Sequence, residues 1–360
     1  MIFGENPMIF SSGEIDEKQI QPASLDLTLA DRVYRISSSF LPKPGERIRD
    51  ILDKRTLYDF ELKPGTILEP NSAYIIPLAE YLDLAPGLHA FASPKSSIGR
   101  VGIFTRLLAD GTTRFDYIPP GYKGPLYVEV IPLDFVVKIF PGLPLNQIRF
   151  RAVGNYRVRE PLLRLAHAKY GLLFNQDGAP VGQREMIVHE DSLMLTVDLN
   201  SRDIVGFMAK RDTTKAIDLS VYGQLEAEDF WEPIKRPKSG ELILVPNNFY
   251  LLSTRERVSF PPGFAGEIAS YDPSSGEMRS HYAGFFDPGF GDNSGLRGTT
   301  AVLEVRAHNI PFRLTGGQII CKMNYERLLE TPERLYSQAI GSTYTGAGPK
   351  LSKHFRQIWE

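Results

Sequence analysis

The feature that most constrains this chain is a repetition inside it. Pro70, Asn71 and Tyr74 return as Pro246, Asn247 and Tyr250, and the same offset of 176 carries Glu80 to Glu256 and Pro86-Gly87 to Pro262-Gly263. Six identities within eighteen positions at one offset argue for a duplicated module rather than chance. An offset of 179 then pairs Pro94, Ser96 and Arg100 with Pro273, Ser275 and Arg279, and one of 175 pairs Glu129, Gly142 and Phe150 with Glu304, Gly317 and Tyr325. The chain is therefore expected to fold as two like modules of about 130 residues each. The boundaries expected are residues 1–155 for the first copy, 156–190 for a linker with a short helix, and 191–360 for the second copy and its C-terminal tail.

The class of module follows from punctuation. The chain holds 31 Gly and 27 Pro, with short Val, Ile and Tyr runs between them, which indicates a mainly β protein with many turns. Residues 23–36 alternate apolar and polar positions like a half-buried strand. The clearest helix is Glu160 to Tyr170, with Pro161 in the first turn, Leu162, Leu165 and Ala166 on one face, and Gly171 as the stop. Lys plus Arg number 41 against 43 Asp plus Glu, a balance that argues against a nucleic-acid or membrane-surface partner held by bulk charge. The single cysteine, Cys321, excludes an internal disulfide and a Cys-rich zinc site and fits a reducing compartment. With no secretory pattern in MIFGENPMIF and no long apolar run, the expectation is a soluble, cytoplasmic protein.

Three stretches carry chemistry. Asp287-Pro288-Gly289-Phe290 opens a turn that runs into Ala301-Val302-Leu303-Glu304-Val305. A carboxylate among apolar neighbours has its charged form disfavoured and its pKa raised, which suits a general base or acid near neutral pH. Strand alternation equally allows Glu304 to point at water. Pro94-Lys95-Ser96-Ser97-Ile98-Gly99-Arg100 sets two hydroxyls beside two cations, the donors that phosphate oxygens require, although such a stretch is also an ordinary solvated loop. The end of the chain, Tyr344 to Lys353, is rich in glycine and contains two lysines. It is either a loose terminus or a flap whose glycines let backbone amides approach a polyphosphate.

Taken together these residues resemble the trimeric dUTPase superfamily and, within it, the dCTP deaminases. The matching motifs are SSIGR at 96–100, DPGF at 287–290 with Leu303-Glu304, GLPLNQIRF at 142–150, YTGAGPKLS at 344–352, and the opening strand Gln21-Pro22-Ala23-Ser24-Leu25-Asp26-Leu27. They cover most of residues 20–150 and 240–355 in the family's order. The resemblance implies two tandem dUTPase-like distorted, jelly-roll-like β-barrels and hydrolysis of dCTP to dUTP and ammonia.

The departures from the family pattern divide the work between the copies. Copy one reads Pro119-Pro120-Gly121 and lacks the sugar-binding Asp, though Glu129 remains. Copy two puts Ser274, Gly276 and Lys322 where copy one has Lys95, Ser97 and Gln147, and inserts Asp292 to Arg297 after the turn. The expected site therefore takes Lys95, Ser96, Ser97, Arg100 and Gln147 from copy one. From copy two it takes Asp287, Phe290, Glu304 and the tail residues Gly346, Gly348, Lys350, Ser352 and Lys353. Glu129, Ser275 and Arg279 are counterparts expected to be vestigial.

By the resemblance, Glu304 serves as base on water, Ser96 orients that water, and Arg100 steadies charge. The route uses no zinc, since the His and Cys pattern of zinc deaminases is missing. Mg²⁺ would arrive on the nucleotide triphosphate. The rivals are dUTP diphosphatase activity, alone or combined with deamination, and a non-catalytic nucleotide-binding module. dUTP or dTTP would be product or regulator, and the barrels imply a homo-oligomer.

Overall fold

A computed structural model describes residues 7–154, 156–269, 278–281 (backbone only), 284–292, 296–337, 344, 346 and 348–356. The chain is mainly β and divides into two compact units, Met1–Asn155 with Thr214–Tyr222, and Tyr156–Thr213 with Gly223–Glu360. No described helix is long and apolar enough to cross a membrane.

The first unit contains β1 (Ile9–Ser11), β2 (Leu25–Thr28), β3 (Arg32–Ile36), β4 (Thr56–Glu61), β5 (Thr66–Leu68) and β6 (Ala73–Asp83). It continues with β7 (Leu88–Pro94), β8 (Ile103–Ala109), β9 (Tyr117–Ile118), β10 (Lys123–Pro132), β11 (Val137–Ile139) and β12 (Pro144–Ala152). One sheet runs β4-β3-β6-β10-β8 with β1 on β6, a second runs β2-β12-β7-β9, and β11 pairs with β5. Helix α1 (Ile48–Arg55) seats Ile48 and Leu52 on Ile36, Ile75 and Leu108 of the first sheet. Ordering such side chains away from water stabilises the unit by roughly 1.5–3 kcal/mol each.

Beyond the one-turn α2 (Ser96–Gly99) of the first unit, the second unit holds α3 (Glu160–Tyr170), β13 (Leu173–Phe174), β14 (Val188–His189), β15 (Ser192–Thr196) and β16 (Ile204–Ala209). Strand β17 (Ile217–Asp218) belongs to the first unit, where it adds to β11 in parallel. Then follow β18 (Trp231–Lys235), β19 (Glu241–Leu244), β20 (Tyr250–Val258), β21 (Phe264–Ala269), β22 (Met278–His281), β23 (Phe285–Phe286), β24 (Thr299–Ala307), β25 (Phe312–Thr315) and β26 (Ile319–Arg327). Their order is β18-β16-β20-β24-β22 with β13 on β20, then β14-β15-β26-β21-β23, then β19-β25. Apart from β14, which extends the second unit's sheet, and β17, which extends β11 in the first, the strand orders of the first unit recur.

Two details show why the repeated residues are the ones they are. Asn71 and Asn247 both adopt left-handed backbone, φ 56° and 64°, which Asn tolerates better than other side chains, so each Pro-Asn pair makes the same turn. Glu80 accepts from the Thr28 amide at 2.9 Å and hydroxyl at 2.7 Å, while Glu256 accepts from the Thr196 amide at 2.7 Å and hydroxyl at 2.6 Å. Each carboxylate pins an opening strand to the next sheet, and the buried Glu80 is thereby kept satisfied away from water.

Local expectations need three corrections. Residues 23–36 form two strands in different sheets, not one alternating strand, because Leu25, Asp26 and Leu27 are all buried. Helix α3 spans Glu160–Tyr170 with Gly171 beyond it at φ 74°, but it buries Leu163, Ala166 and His167, leaving Leu162 and Leu165 exposed. The reason is His167, whose ring bonds the Val181 carbonyl at 2.8 Å and accepts from the Leu172 amide at 3.1 Å, so the helix turns that face inward. The stretch 171–190, read as connector, is part of the second unit: Phe174 is fully buried and β13 pairs with β20.

The second unit's core is aromatic. Phe260 stacks on Tyr325 at 4.4 Å and on Phe286 at 5.2 Å, and the Tyr325 hydroxyl donates to the Ser259 carbonyl at 2.9 Å. Such pairs add about 0.5–1.5 kcal/mol beyond their area and give the following turn a rigid floor.

Candidate active site

In the first unit, β7 ends at Pro94 and the chain enters one helical turn, α2 (Ser96–Gly99). The amides of Ile98 and Gly99 donate to the Lys95 carbonyl at 2.8 and 3.1 Å, and the Lys95 amide donates to Leu145 of β12 at 2.9 Å. This fixes the Ser-Ser turn to the edge of the β2-β12-β7 sheet. Ser97 and Arg100 are buried.

The Lys95 ammonium is paired with the Asp26 carboxylate from β2. Gln147 lies opposite Asp26 across the strand pair, accepts from the Ser24 hydroxyl at 3.1 Å and donates to the Pro94 carbonyl at 3.4 Å. The structure thus gathers Lys95, Ser96, Ser97, Arg100 and Gln147 at one sheet end. Hydroxyl, amide and cationic donors at that density suit a polyphosphate. Asp26 and Ser24 were missed as members; their motif was visible in the opening strand, but nothing in it announced a lysine 69 residues away.

The first unit's acid has different surroundings. Glu129 on β10 is buried, and burial pushes its carboxyl up, opposed by a hydrogen bond from Ser39 and by Arg106, its cross-strand neighbour. Arg106 is itself engaged by Asp116 at 2.6 Å, and burial raises that carboxyl too, against the pull of Arg106. Arg106 also lies over the Phe104 ring at 4.6 Å. The site of a would-be base is filled by its own unit's side chains.

In the second unit, β23 leads into the Asp287–Gly291 turn. The Phe290 amide donates to the Asp287 carbonyl at 3.1 Å, and Gly289 and Phe260 exchange amides with the Phe260 and Phe290 carbonyls at 2.7 and 2.8 Å. Gly291 takes φ +77°, and a Cβ there would strike the Val258 carbonyl, so only glycine lets the turn lie this close to β20. Phe290, expected against substrate, packs edge-on to Phe286 at 5.0 Å and Tyr336 at 5.2 Å and is 7% exposed. Asp287 is buried beside it.

Glu304 lies on β24, opposite Leu251 of β20 and His281 of β22, and is 2% exposed between the buried Leu303 and Val305. Thr300, Val302 and Glu304 share one strand face by alternation. The glycine-rich tail docks at the near end of that face. Gly348 donates to the Thr300 hydroxyl at 2.9 Å, and the Thr300 amide donates to Gly346 at 3.2 Å.

Further on, Leu351 and Ser352 are buried and Lys350 and Lys353 are half-buried. Phe355 is 1% exposed against Phe230 and Trp231. Tyr336 ties the tail to the turn: its amide donates to the Pro288 carbonyl at 2.8 Å and its hydroxyl accepts from the Tyr344 amide at 3.2 Å. The Lys353 amide then donates to the Tyr344 hydroxyl at 3.1 Å.

Thr300 and Tyr336 had no signal in the sequence, since neither belongs to a recognisable motif. Ser275 lies outside the described residues, as does the side chain of Arg279, whose backbone pairs with Arg306. Lys322, at the position of Gln147, pairs with Glu190 at 2.9 Å. Among the described residues no three His, Cys, Asp or Glu side chains cluster in a way that would hold a metal ion.

Residues 2–154 match the family model of the 2'-deoxycytidine 5'-triphosphate deaminase N-terminal domain, and 163–355 match that of its C-terminal domain. The chain is 29% identical over 143 residues to the dUMP-forming dCTP deaminase of Methanobrevibacter smithii, covering 38% of this chain and 69% of that one. It is 26% identical over 159 residues to the dCTP deaminase of Ignicoccus hospitalis, covering 41% and 75%. The crystal structure of 2'-deoxycytidine 5'-triphosphate deaminase from Agrobacterium tumefaciens superimposes with a TM-score of 0.83 at 41% identity, covering 91% of this chain and 92% of that one.

Proposed function

Because the chain belongs to the dCTP deaminase family and is an enzyme of that type, we propose that it deaminates dCTP hydrolytically with Glu304 as the base. The observation that carries the choice of Glu304 is the convergence of the Asp287–Gly291 turn, Tyr336 and the glycine-rich tail on its strand. Glu129, by contrast, faces Arg106 and Ser39 of its own unit. The residues proposed to serve dCTP are Lys95, Ser96, Ser97, Arg100 and Gln147 for the phosphates, Asp287 for the sugar, and Glu304 for the chemistry, together with the tail.

In the reaction the Glu304 carboxylate takes a proton from water while the water oxygen bonds to C4 of cytosine. Ser96 orients that water, and Arg100 stabilises the charge that develops. The proton on Glu304 passes to the exocyclic amine, the C4–N bond breaks, and ammonia leaves with dUTP as product. Mg²⁺ is proposed to accompany the triphosphate, whose oxygens it prefers, and no zinc is assigned.

A second reading adds hydrolysis of the product to dUMP and pyrophosphate; the dUMP-forming names of several relatives favour it. Ammonia and pyrophosphate assayed separately from dCTP and from dUTP distinguish the two: ammonia alone means a deaminase, both mean a bifunctional enzyme, and pyrophosphate alone refutes deamination. The rival of a non-catalytic binding module gives way to the family membership.

Reading the units as tandem dUTPase-like barrels is supported by their matching strand orders and by the matching Thr–Glu pairs. A homo-oligomer remains part of the proposal, since barrels of this kind close around symmetry axes.

A further inference from the structure

The six residues inserted after the Asp287–Gly291 turn have no counterpart in the first unit. The described part of that insertion is gripped by one buried cation. Arg257 on β20 is 3% exposed, and its guanidinium donates to the carbonyls of Arg297 at 2.8 Å, Leu296 at 3.0 Å and Gly298 at 2.7 Å. Gly298 then donates to Gly291 at 2.9 Å, which pinches the insertion shut at its base.

Gly298 has φ +74°, and a Cβ there would lie 2.8 Å from Arg257 Cβ and 2.9 Å from the Phe174 ring, so the fit is tight on both sides. Arg297 extends the grip outward: it lies over Phe174 at 4.7 Å and donates to the Tyr170 carbonyl at 2.7 Å. That carbonyl is in the last turn of α3, where a cation is favoured.

Holding a guanidinium here is not easy. Burial disfavours its charge, and Arg202 nearby disfavours it further. Carbonyl dipoles offset this only if all three stay in place. The residue also occurs only where it has a loop to hold, for the first unit has Tyr81 at the equivalent position and no insertion. Arg257 lies directly opposite Thr300, the residue on which the tail docks, four positions before Glu304 on the same strand.

We propose that Arg257 is a positioning residue for deamination: by fixing residues 296–298 it sets the distance and orientation between the Asp287–Gly291 turn and the strand that carries Thr300 and Glu304. Helix α3 and the 171–182 segment thereby act as the outer anchor of that turn. The inference rests on the proposed deaminase reading of the same residues.

The test compares Arg257→Met, Arg257→Lys and the surface variant Arg297→Ala with the parent enzyme well below its unfolding temperature. A loosened substrate turn that leaves the base in place predicts a KM for dCTP raised about tenfold in Arg257→Met, with kcat changed by less than about threefold and an unaltered pH profile. Arg257→Lys recovers part of the loss, and Arg297→Ala shows a smaller rise of the same kind. Amide exchange at Gly298 rises in each variant while that of β21 does not.

An unchanged KM alongside a lowered melting temperature assigns Arg257 a structural role only and overturns the proposal, as does an equal loss of kcat and kcat/KM. If Arg257→Met does not fold, Arg297→Ala decides by the same two readouts. A parent enzyme that releases no ammonia refutes the deaminase reading instead, and Gly298 exchange still judges the clamp.

Discussion

Replacing Glu129 by Gln separates the two glutamates of the repeat on physical grounds before any catalysis is measured. Glu129 is 1% exposed, its Oε1 has no hydrogen-bond partner, and burial raises its pKa, with the Ser39 hydrogen bond and Arg106 opposing this less strongly. A carboxyl raised in the folded state contributes its full stability below the unfolded pKa and loses it as pH climbs through the folded value. Each unit of elevation is worth about 1.4 kcal/mol, and an unpaired buried acceptor costs about 1–3 kcal/mol. Gln keeps the shape and removes the charge. The variant is therefore expected to match the parent at about pH 4 and to gain on the order of 1 kcal/mol at about pH 8, or about 2–4 °C in melting temperature for a unit of this size.

Thermal unfolding followed by circular dichroism across that range provides the measurement, with ammonia release expected to stay within about twofold of the parent. A variant less stable than the parent at about pH 8, with a deficit that shrinks towards pH 4, refutes the reasoning, because it means Arg106 holds the carboxylate charged. A loss of turnover moves the base to the first unit.

Other consequences follow from the same contacts. Lys95→Met leaves Asp26 without its ammonium partner and removes a phosphate-side cation; KM for dCTP is expected to rise about tenfold, by an amount that shrinks with added salt. Phe355→Ala empties the place between Phe230 and Trp231, costing about 3–5 kcal/mol of local packing, and limited proteolysis should then cut the tail that the parent protects. A zinc-selective chelator is expected to leave ammonia release unchanged, whereas withdrawing Mg²⁺ from the nucleotide raises KM; abolished turnover with the zinc chelator would reverse the cofactor assignment.

What the sequence made legible was whatever rests on local geometry. The repeat shows through Pro70-Asn71 and Pro246-Asn247 because both turns need a left-handed Asn, and α3 shows through Pro161 and Gly171 because both of its ends are set by backbone conformation. The Ser-Ser turn and the Glu304 strand could be picked out for the same reason. What stayed hidden depends on partners distant in the chain. Asp26 reads as the polar half of an alternation until Lys95 is folded against it, and Leu165 reads as core until His167 takes the inner face. Tyr336 and Arg257 do their work through hydrogen bonds with backbone carbonyls, which no side-chain pattern records.

The central claim concerns the proton taken from water, and single-turnover ammonia release from dCTP by Glu304→Gln tests it most directly. The account predicts a fall of about 10²- to 10⁴-fold with nucleotide binding retained. Release at the parent's rate, with Glu304 gone as a base, would contradict it.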